Sequence, residues 1–324
     1  MYRKFLIATV ALLAMSSATL SLAAETVRVG VLKFGTVNWE LKSMIHNGLD
    51  TANDIKVEIV PYAGGDATRI ALLGGEVDII VSDWLWVSRQ RAEGAAFTFA
   101  PYSSSVGAVM VPGDSDMQSL ADMKGKKIGV VGGPLDKSWL LLQGMARKLH
   151  DLDLAASNDV VFGAPPLLAE KTRDGELDAV LNYWHFCARL EADGFRRLVS
   201  AEDAANELGA SGAVSAIGYV FDETWANDNP AAAAFVKASR ETKMLLNESD
   251  EEWLRLAESG AIKDGPEALM VLRDRFRQGI PARPLKDEIG DAQVIYQLLE
   301  QLGGKKLVGD SEALVDGTYW VGES

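Results

Sequence analysis

The sequence has little cysteine, few basic residues and, after residue 24, no long apolar run. Cys187 is the single cysteine among 324 residues, so an internal disulfide and a cysteine-based zinc site are excluded. The 32 basic residues are outnumbered by 46 acidic ones, and a net charge of −14 disfavours nucleic acid as a partner, because phosphate contacts need clustered Lys and Arg. The hydrophobic content of 48% and charged content of 24% are typical of a globular chain, and the length suggests about two domains.

The first 24 residues have the layout of a secretory signal peptide. Arg3 and Lys4 precede an apolar run over residues 5–15, and small residues follow as far as Ala24. The apolar run is shorter than the roughly 20 residues that span a bilayer, which disfavours a retained membrane anchor. We expect cleavage after Ala23 or Ala24, a mature net charge of −16, and a location outside the cytoplasm, which is the periplasm in a Gram-negative bacterium.

An internal repeat with an offset of 100 residues organises the chain. Average usage would give roughly one identity by chance between residues 75 and 89 and their counterparts. The sequence has five identities in this stretch: Gly75, Glu76, Asp78, Trp84 and Arg89 match Gly175, Glu176, Asp178, Trp184 and Arg189. The repeat units extend over about 27–89 and 127–189. We interpret the repeated Gly-Glu-x-Asp as a structural turn between a helix and a strand.

Each repeat unit predicts a β-α-β-α-β order, which is typical of α/β folds with parallel sheets. The C-terminal part is mainly helical. Two further predicted strands, 106–111 and 216–221, are interpreted as crossings between two lobes. This division predicts a discontinuous lobe one over 25–110 plus 215–324, and a lobe two over 111–214.

The predicted ligand site lies at the carboxyl ends of the strands, where open α/β sheets bind ligands. Helix N-termini at 36–39 and 136–139 offer free backbone N–H groups that suit an anionic group. Five of the eight tryptophans fall in these loops, where they either pack between lobes or stack on a ligand. The candidate ligand-binding residues are Thr36, Asn38, Trp39, Asp83, Trp84, Trp86, Ser103, Ser104, Asp136, Ser138, Trp139, Tyr183, Trp184 and His185.

Asp83 is the candidate that departs from the repeat, since Tyr183 stands at the equivalent position. This departure favours a functional role for Asp83. Asp136 has the alternative role of capping its helix. The Gly-x-Gly-x-x-Gly pattern does not follow either first strand, which disfavours a nucleotide, and we expect no cofactor.

Two segments resemble a known family. Ala-Leu-Leu-Gly-Gly-Glu-Val-Asp at 71–78, and Ser-Leu-Ala-Asp-Met-Lys-Gly-Lys-Lys-Ile-Gly-Val at 119–130, resemble periplasmic solute-binding proteins of ABC importers. The chain is most similar to the group for nitrate, sulfonates, taurine and thiamine-pyrimidine precursors, although Met123 replaces the usual Leu. The resemblance implies a two-lobed periplasmic-binding-protein type II fold. Each lobe is then a parallel-dominated sheet flanked by helices, and two crossing strands form the hinge.

The same resemblance implies a monomeric, non-enzymatic protein that closes over one small solute and delivers it to the membrane permease subunits of the importer. The loop over 134–139 carries an acid and a Trp where an anion binder is expected to offer a cation, and Asp83 adds another acid. These residues favour a planar or amine-bearing solute. A sulfonate or nitrate, and a hard metal ion held by carboxylates and Asn38, stay open as alternatives.

An enzyme is the competing class, because related proteins make the thiamine pyrimidine. The cysteine-rich signature of those enzymes is absent from this sequence. His46 and His150 fall in predicted helices without a neighbouring nucleophile. His185, next to Trp184, fits a ligand hydrogen bond or a core imidazole better than a general base.

Overall fold

A computed structural model describes residues 24–322, so the predicted signal peptide lies outside the described residues except for Ala24. The strands are Glu25–Leu32 (β1), Ile55–Tyr62 (β2), Ile79–Ser82 (β3), Phe97–Ser103 (β4), Ala108–Val111 (β5), Lys127–Val131 (β6), Asp159–Gly163 (β7), Ala179–Asn182 (β8), Arg196–Ser200 (β9) and Ile217–Asp222 (β10).

The helices of the amino-terminal two thirds are Val37–His46 (α1), Gly65–Leu73 (α2), Trp84–Ala92 (α3), Lys137–His150 (α4), Pro165–Arg173 (α5), Trp184–Ala192 (α6) and Ala201–Leu208 (α7). Those that follow are Glu223–Asp228 (α8), Pro230–Glu248 (α9), Asp250–Glu258 (α10), Pro266–Gln278 (α11), Leu285–Gly303 (α12) and Lys305–Val308 (α13). Short 3₁₀ helices occupy Thr51–Asn53 and Leu120–Met123. Among residues 24–322, none of the helices has the length and apolar character needed to cross a bilayer.

The strands form two five-stranded sheets with the same internal order. The first sheet runs β2-β1-β3-β10-β4 and the second runs β7-β6-β8-β5-β9. In each sheet three strands are parallel neighbours, and the fourth strand in the order, β10 or β5, pairs antiparallel with both of its neighbours. The two-lobed α/β fold with parallel-dominated sheets is therefore as predicted.

The two sheets exchange one strand each. β5 follows β4 of the first sheet in sequence but pairs within the second sheet, and β10 follows β9 of the second sheet but pairs within the first. The chain consequently crosses between lobes twice, at 104–107 and between α7 and β10. After the first crossing, the chain enters the second sheet at Ala108, the first residue of β5. The division of the chain into lobe one (25–110 plus 215–324) and lobe two (111–214) remains a prediction.

The repeat seen in sequence is also a structural repeat. The pairs α2 and α5, β3 and β8, and α3 and α6 each begin 100 residues apart. The two Gly-Glu-x-Asp turns end in carboxylates that make equivalent hydrogen bonds. Asp78 accepts one from the backbone N–H of Arg28 at 2.7 Å, and Asp178 accepts one from the backbone N–H of Lys127 at 2.7 Å. Each Asp thus ties the third strand of its unit to the first, which is the structural role expected of the motif.

The C-terminal helices pack on both lobes. α9 lies against α1 of the first lobe, whereas α11 lies against α6 and α12 against α4 of the second. One buried apolar cluster includes Ile80 of the first sheet, Val130 of the second sheet and Tyr296 of α12. The two lobes and the C-terminal helices therefore share a continuous core.

Candidate functional site

Four helix N-termini meet where the lobes face each other. α1, α3, α4 and α6 each follow the carboxyl end of a strand in their sheet. Trp39 of α1 contacts Trp184 of α6 edge to face, with ring centroids 6.1 Å apart. Asp83, which precedes α3, forms an ion pair with Lys137 of α4 at 3.6 Å. The structure therefore has its lobes in contact.

Asp83 is held by groups from both lobes. Its carboxylate accepts a hydrogen bond from the backbone N–H of Trp86 at 3.0 Å, so it caps α3, and Arg69 lies 3.4 Å away. Burial acts to raise the pKa of Asp83, but Lys137, the Trp86 N–H and Arg69 together lower it below its usual value. Asp83 is therefore an ionised group whose charge is already compensated by two cations.

The tryptophans at the strand ends mostly belong to the core. Trp39 is 5% exposed and packs on both Trp184 and Trp253, and Trp139 is 1% exposed. Trp86 stacks on Phe97 and lies beneath the Arg69 guanidinium, 5.0 Å from its ring centre. These side chains fix the positions of the helices around the site, as expected where indole rings fill an interface.

Several of the small polar candidate residues form hydrogen bonds with backbone groups of loops. The side-chain amide of Asn38 donates to the carbonyl oxygens of Leu32 and Gly35, each at 2.8 Å, and so closes the β1–α1 loop. Ser103 accepts a hydrogen bond from the Ser105 N–H, and Thr36 is buried. The Ser104 hydroxyl donates to the Gly279 carbonyl at 3.3 Å. This last bond joins the crossing segment to the end of α11.

Asp136, Tyr183 and His185 lie on the second-lobe side. Asp136 caps α4 by accepting from the Trp139 N–H at 3.1 Å, and burial raises its pKa. Burial and the charge of Asp136 both raise the pKa of Tyr183, which remains 42% exposed. Burial and the nearby Arg189 lower the pKa of His185 to about 3, although Asp264 acts in the opposite direction. The imidazole is therefore neutral at physiological pH, and its buried Nδ1 makes no hydrogen bond within the described residues.

A cavity of about 90 Å³ lies between the lobes beside the first crossing. Three of the fourteen predicted residues line it, namely Trp84, Ser104 and Ser138. The other lining residues are Val106, Lys137, Leu141, Ala201, Glu202, Ala205, Gly212, Ala213, Val214, Ala216, Ile295 and Leu299. We name this space the interlobe cavity.

Sequence reasoning missed most of this lining. The sequence offered a clue that Ala201 and Glu202 line the cavity, because α7 begins directly after β9 and so presents another helix N-terminus at a strand end. It offered no clue for Ile295 and Leu299, since no local pattern shows that α12 extends from the C-terminal part into the interface. Within residues 24–322, no group of three or more His, Cys, Asp or Glu side chains is placed to hold a metal ion.

Two five-stranded α/β lobes joined by two crossings, with a cavity between them, define a periplasmic-binding-protein type of fold. The family model described as "NMT1/THI5 like" matches residues 46–251. The chain therefore belongs to the NMT1/THI5-like family. No curated protein matches the sequence significantly.

Solved structures show the same fold at low sequence identity. The periplasmic aliphatic sulphonate binding protein SsuA from Escherichia coli is 18% identical, with a TM-score of 0.69 over 92% of this chain and 93% of that one. An ABC transporter protein from Parabacteroides distasonis is 16% identical, with a TM-score of 0.69 over 91% and 98%. The alkanesulfonate-binding protein SsuA from Xanthomonas axonopodis pv. citri, bound to MOPS, is 19% identical, with a TM-score of 0.65 over 92% and 99%.

Proposed function

We propose that the protein is the extracytoplasmic solute-binding component of an ABC import system. It binds one small solute between its lobes, closes by a hinge motion and delivers the solute to membrane permease subunits. We further propose that it is exported by residues 1–24, works in the periplasm and acts as a monomer. The observation that carries the proposal is the interlobe cavity, which is built from both lobes, both crossings and α12.

The construction of the cavity explains why lobe motion suits binding. Its walls come from α3 on one lobe and α4 on the other, so separating the lobes opens it and closing them buries the contents. A solute that contacts both lobes stabilises the closed form, because it loses its contacts with one lobe when the lobes part. The names of the structural neighbours, which include sulfonate-binding proteins, support the same function.

The enzyme alternative has weaker support. Cys187 is buried, and burial raises the pKa of its thiol to about 11, so it is a poor nucleophile at neutral pH. His185 has a pKa too low for a general base near pH 7. These observations favour binding without chemical turnover.

The experiment uses the chain from residue 25 onwards. Native mass spectrometry of the protein as purified tests for a retained solute. A thermal-shift panel then covers sulfonates, nitrate, pyrimidines, quaternary amines, polyamines and metal ions. A specific ligand at 100 times its dissociation constant should stabilise the fold by about 2.7 kcal/mol. Chemical conversion of a panel compound would contradict the proposal and favour an enzyme.

The charge of the solute can be tested at Asp83. An anionic solute is the second candidate, because Arg69 and Lys137 both reach the site. Asp83→Asn keeps a capping side chain while removing the charge. It should tighten the binding of an anion several-fold and weaken that of an amine, as measured by calorimetry. Asp66→Asn is the matched control, since Asp66 also pairs with Arg69 but is 96% exposed.

A further inference from the structure

A second cavity, of about 310 Å³, adjoins the interlobe cavity beside the first crossing. The two cavities share Ser104, Val106 and Glu202 as lining residues. The other walls of this second space come from β9, the start of α7, Trp184 of α6 and the end of α11. We name it the adjoining cavity. A solute bound between the lobes can therefore extend from the interlobe cavity along β9 and α7.

Glu202 lines both cavities and carries an uncompensated charge. Among residues 24–322, its carboxylate makes neither a hydrogen bond nor an ion pair. Burial and the charge of Asp203 raise the pKa of Glu202, although Arg283 acts in the opposite direction. Asp203 itself is engaged at the start of α7, because it accepts hydrogen bonds from the backbone N–H and the hydroxyl of Ser200 at 2.9 and 2.7 Å. Glu202 is thus available to a cationic group of a solute.

Two guanidinium groups on the β9 and α11 side of the adjoining cavity share one carboxylate. Glu191 accepts hydrogen bonds from Nε and Nη2 of Arg275 at 2.8 and 2.9 Å, and another from Nε of Arg197. The remaining donor group of Arg275, Nη1, bonds to Gln278 at 2.8 Å. Within the described part of the chain, the two Nη groups of Arg197 make no hydrogen bond, and Nη2 is buried. This cluster has one positive charge in excess and unused donors that suit an oxyanion.

Apolar side chains cover much of the surface around these two charged groups. Val106 of the crossing and Leu198 and Val199 of β9 line the adjoining cavity together with the Trp184 indole. A short carbon chain that joins two charged ends can contact this surface and bury its own apolar area.

We propose that the solute is a small zwitterion whose ammonium group is bound by Glu202 and whose carboxylate or other oxyanion is bound by Arg197. This inference rests on the proposed solute-binding function and names the class of solute. A compound with a single charge would leave one of these two side chains desolvated without a partner, which costs binding free energy. A zwitterion compensates both side chains at once.

The test compares probes that differ in charge, on the chain from residue 25 onwards. γ-Aminobutyrate is the zwitterion, butylamine lacks its oxyanion and butyrate lacks its amine. Calorimetry should show saturable binding of γ-aminobutyrate, and at least tenfold weaker binding of the two singly charged compounds. The zwitterion 3-aminopropanesulfonate should also bind, and its affinity relative to γ-aminobutyrate identifies the preferred oxyanion.

Glu202→Gln should remove the contribution of the amine. It should weaken the binding of γ-aminobutyrate at least tenfold and should not weaken that of butyrate. Glu207→Gln is the matched control on the same helix, since Glu207 pairs with Lys148 at 2.9 Å and lines neither cavity. The control should leave the affinity for both compounds unchanged.

Arg197→Gln should have the opposite selectivity. It should weaken the binding of γ-aminobutyrate at least tenfold and should not weaken that of butylamine. Arg196→Gln is the control on the same strand, because the Arg196 guanidinium donates to the carbonyl oxygens of Ser115, at 2.9 Å, and Met117. If Arg197→Gln folds poorly, Arg197→Lys keeps the charge beside Glu191 but loses the forked donors, and it should also weaken the zwitterion.

The possible results separate the two proposals. A singly charged or uncharged compound that binds as tightly as the zwitterions, or more tightly, would overturn the proposed class and keep the solute-binding function. A folded protein that binds no probe, no compound of the wider panel and retains no solute on purification would overturn both. Equal weakening in Glu202→Gln and Glu207→Gln would assign the effect to net charge and remove Glu202 as the contact.

Discussion

At the scale of single residues, the most demanding interaction is a buried ion pair in the first lobe. Lys243 of α9 and Glu40 of α1 are 7% and 0% exposed, and their charged atoms are 2.6 Å apart. Glu40 also accepts hydrogen bonds from the hydroxyl groups of Tyr219 at 2.8 Å and Ser239 at 2.6 Å. Lys243 lies over the Tyr102 ring, 4.4 Å from its centre. Burial lowers the pKa of Lys243, although Glu40 opposes this shift.

Removing one partner of this pair should be more harmful than removing both. Lys243→Met leaves the Glu40 carboxylate buried without its cation and should destabilise the fold by about 3–5 kcal/mol. Adding Glu40→Gln to that variant should recover part of the loss, because no uncompensated charge remains. Urea unfolding of the two variants measures the difference. A loss below about 1 kcal/mol in the single variant would show that the pair does not hold α9 against α1.

We predict that the folded protein loses stability in acid because of the buried His185. Its pKa in the folded state is about 3, whereas an unfolded His titrates near 6.5, so between these values the unfolded chain binds the extra proton. Stability from this group is complete above pH 6.5 and declines as the pH falls, by about 2 kcal/mol between pH 7 and pH 5.

The variant His185→Asn should remove this part of the pH dependence. Urea unfolding at pH 7 and pH 5 gives the comparison, with His46→Asn as the control because His46 is exposed. His46→Asn should keep the parent slope. An unchanged slope in His185→Asn would mean that the imidazole takes up its proton equally in the folded and unfolded protein, which would contradict this account.

Sequence reasoning about individual residues succeeded where the cause was local. The capping role considered for Asp136 follows from the preference of Asp for the position before a helix, and the structure shows that bond. The compensation of Asp83 was not predictable, because Arg69 lies on another helix and Lys137 in another lobe. Nor could sequence distinguish a packed Trp39 from a ligand-facing one, since this depends on Trp184 and Trp253 across the interface.

At the scale of elements, the repeat places equivalent glycines on the first strands of both sheets. A side chain at Gly30 of β1 would meet Ile80 and Val77 at 3.2 Å. A side chain at Gly129 of β6 would meet Leu177 at 2.7 Å and Val180 at 3.1 Å. The difference follows from the replacement of Val77 by the longer Leu177 in the second unit.

Alanine should therefore be tolerated unequally at the two positions. Gly129→Ala forces Leu177 to move and should cost about 1–3 kcal/mol, as overpacked cores do. Gly30→Ala should cost less, because its neighbours need to move only a few tenths of an ångström. Chemical unfolding of both variants, together with Gly129→Ala in a Leu177→Val background, gives the measurement. Failure of Leu177→Val to relieve the cost would contradict this account.

The sequence predicted the repeated elements well because their signals are local and duplicated. Apolar runs and the offset of 100 residues located β3 and β8 closely, whereas α3 and α6 were missed, because their first residues, Trp84 and Trp184, were assigned to loops at the strand ends. The exchange of β5 and β10 between the sheets depends on pairing between distant segments. The spacing of apolar residues along the chain does not show which sheet a strand joins. The same holds for α12, whose apolar face showed only that it is buried and not that it packs on α4.

At the scale of the whole molecule, charged groups join the C-terminal helices and the two lobes. Arg189 of α6 binds Asp264 at 2.6 Å, and Arg275 of α11 binds Glu191 of α6 at 2.8 Å. These pairs attach the second lobe to the C-terminal helices. Among residues 24–322, Asp83 with Lys137 is the ion pair that joins the N-terminus of α3 directly to α4. We expect this pair to break when the lobes separate, whereas pairs within one lobe persist.

Charge reversal at Asp83 should therefore open the molecule. Asp83→Lys places a third cation beside Arg69 and Lys137, and like charges at an interface cost several kcal/mol, so the open form should rise at least tenfold relative to the closed form. Small-angle X-ray scattering should show a larger radius of gyration, and calorimetry a weaker affinity for the solute. Asp66→Lys changes the same charge beside Arg69, but Asp66 is 96% exposed and within one lobe. It should leave both measurements unchanged, and a comparable expansion in this control would assign the effect to net charge and not to the contact between α3 and α4.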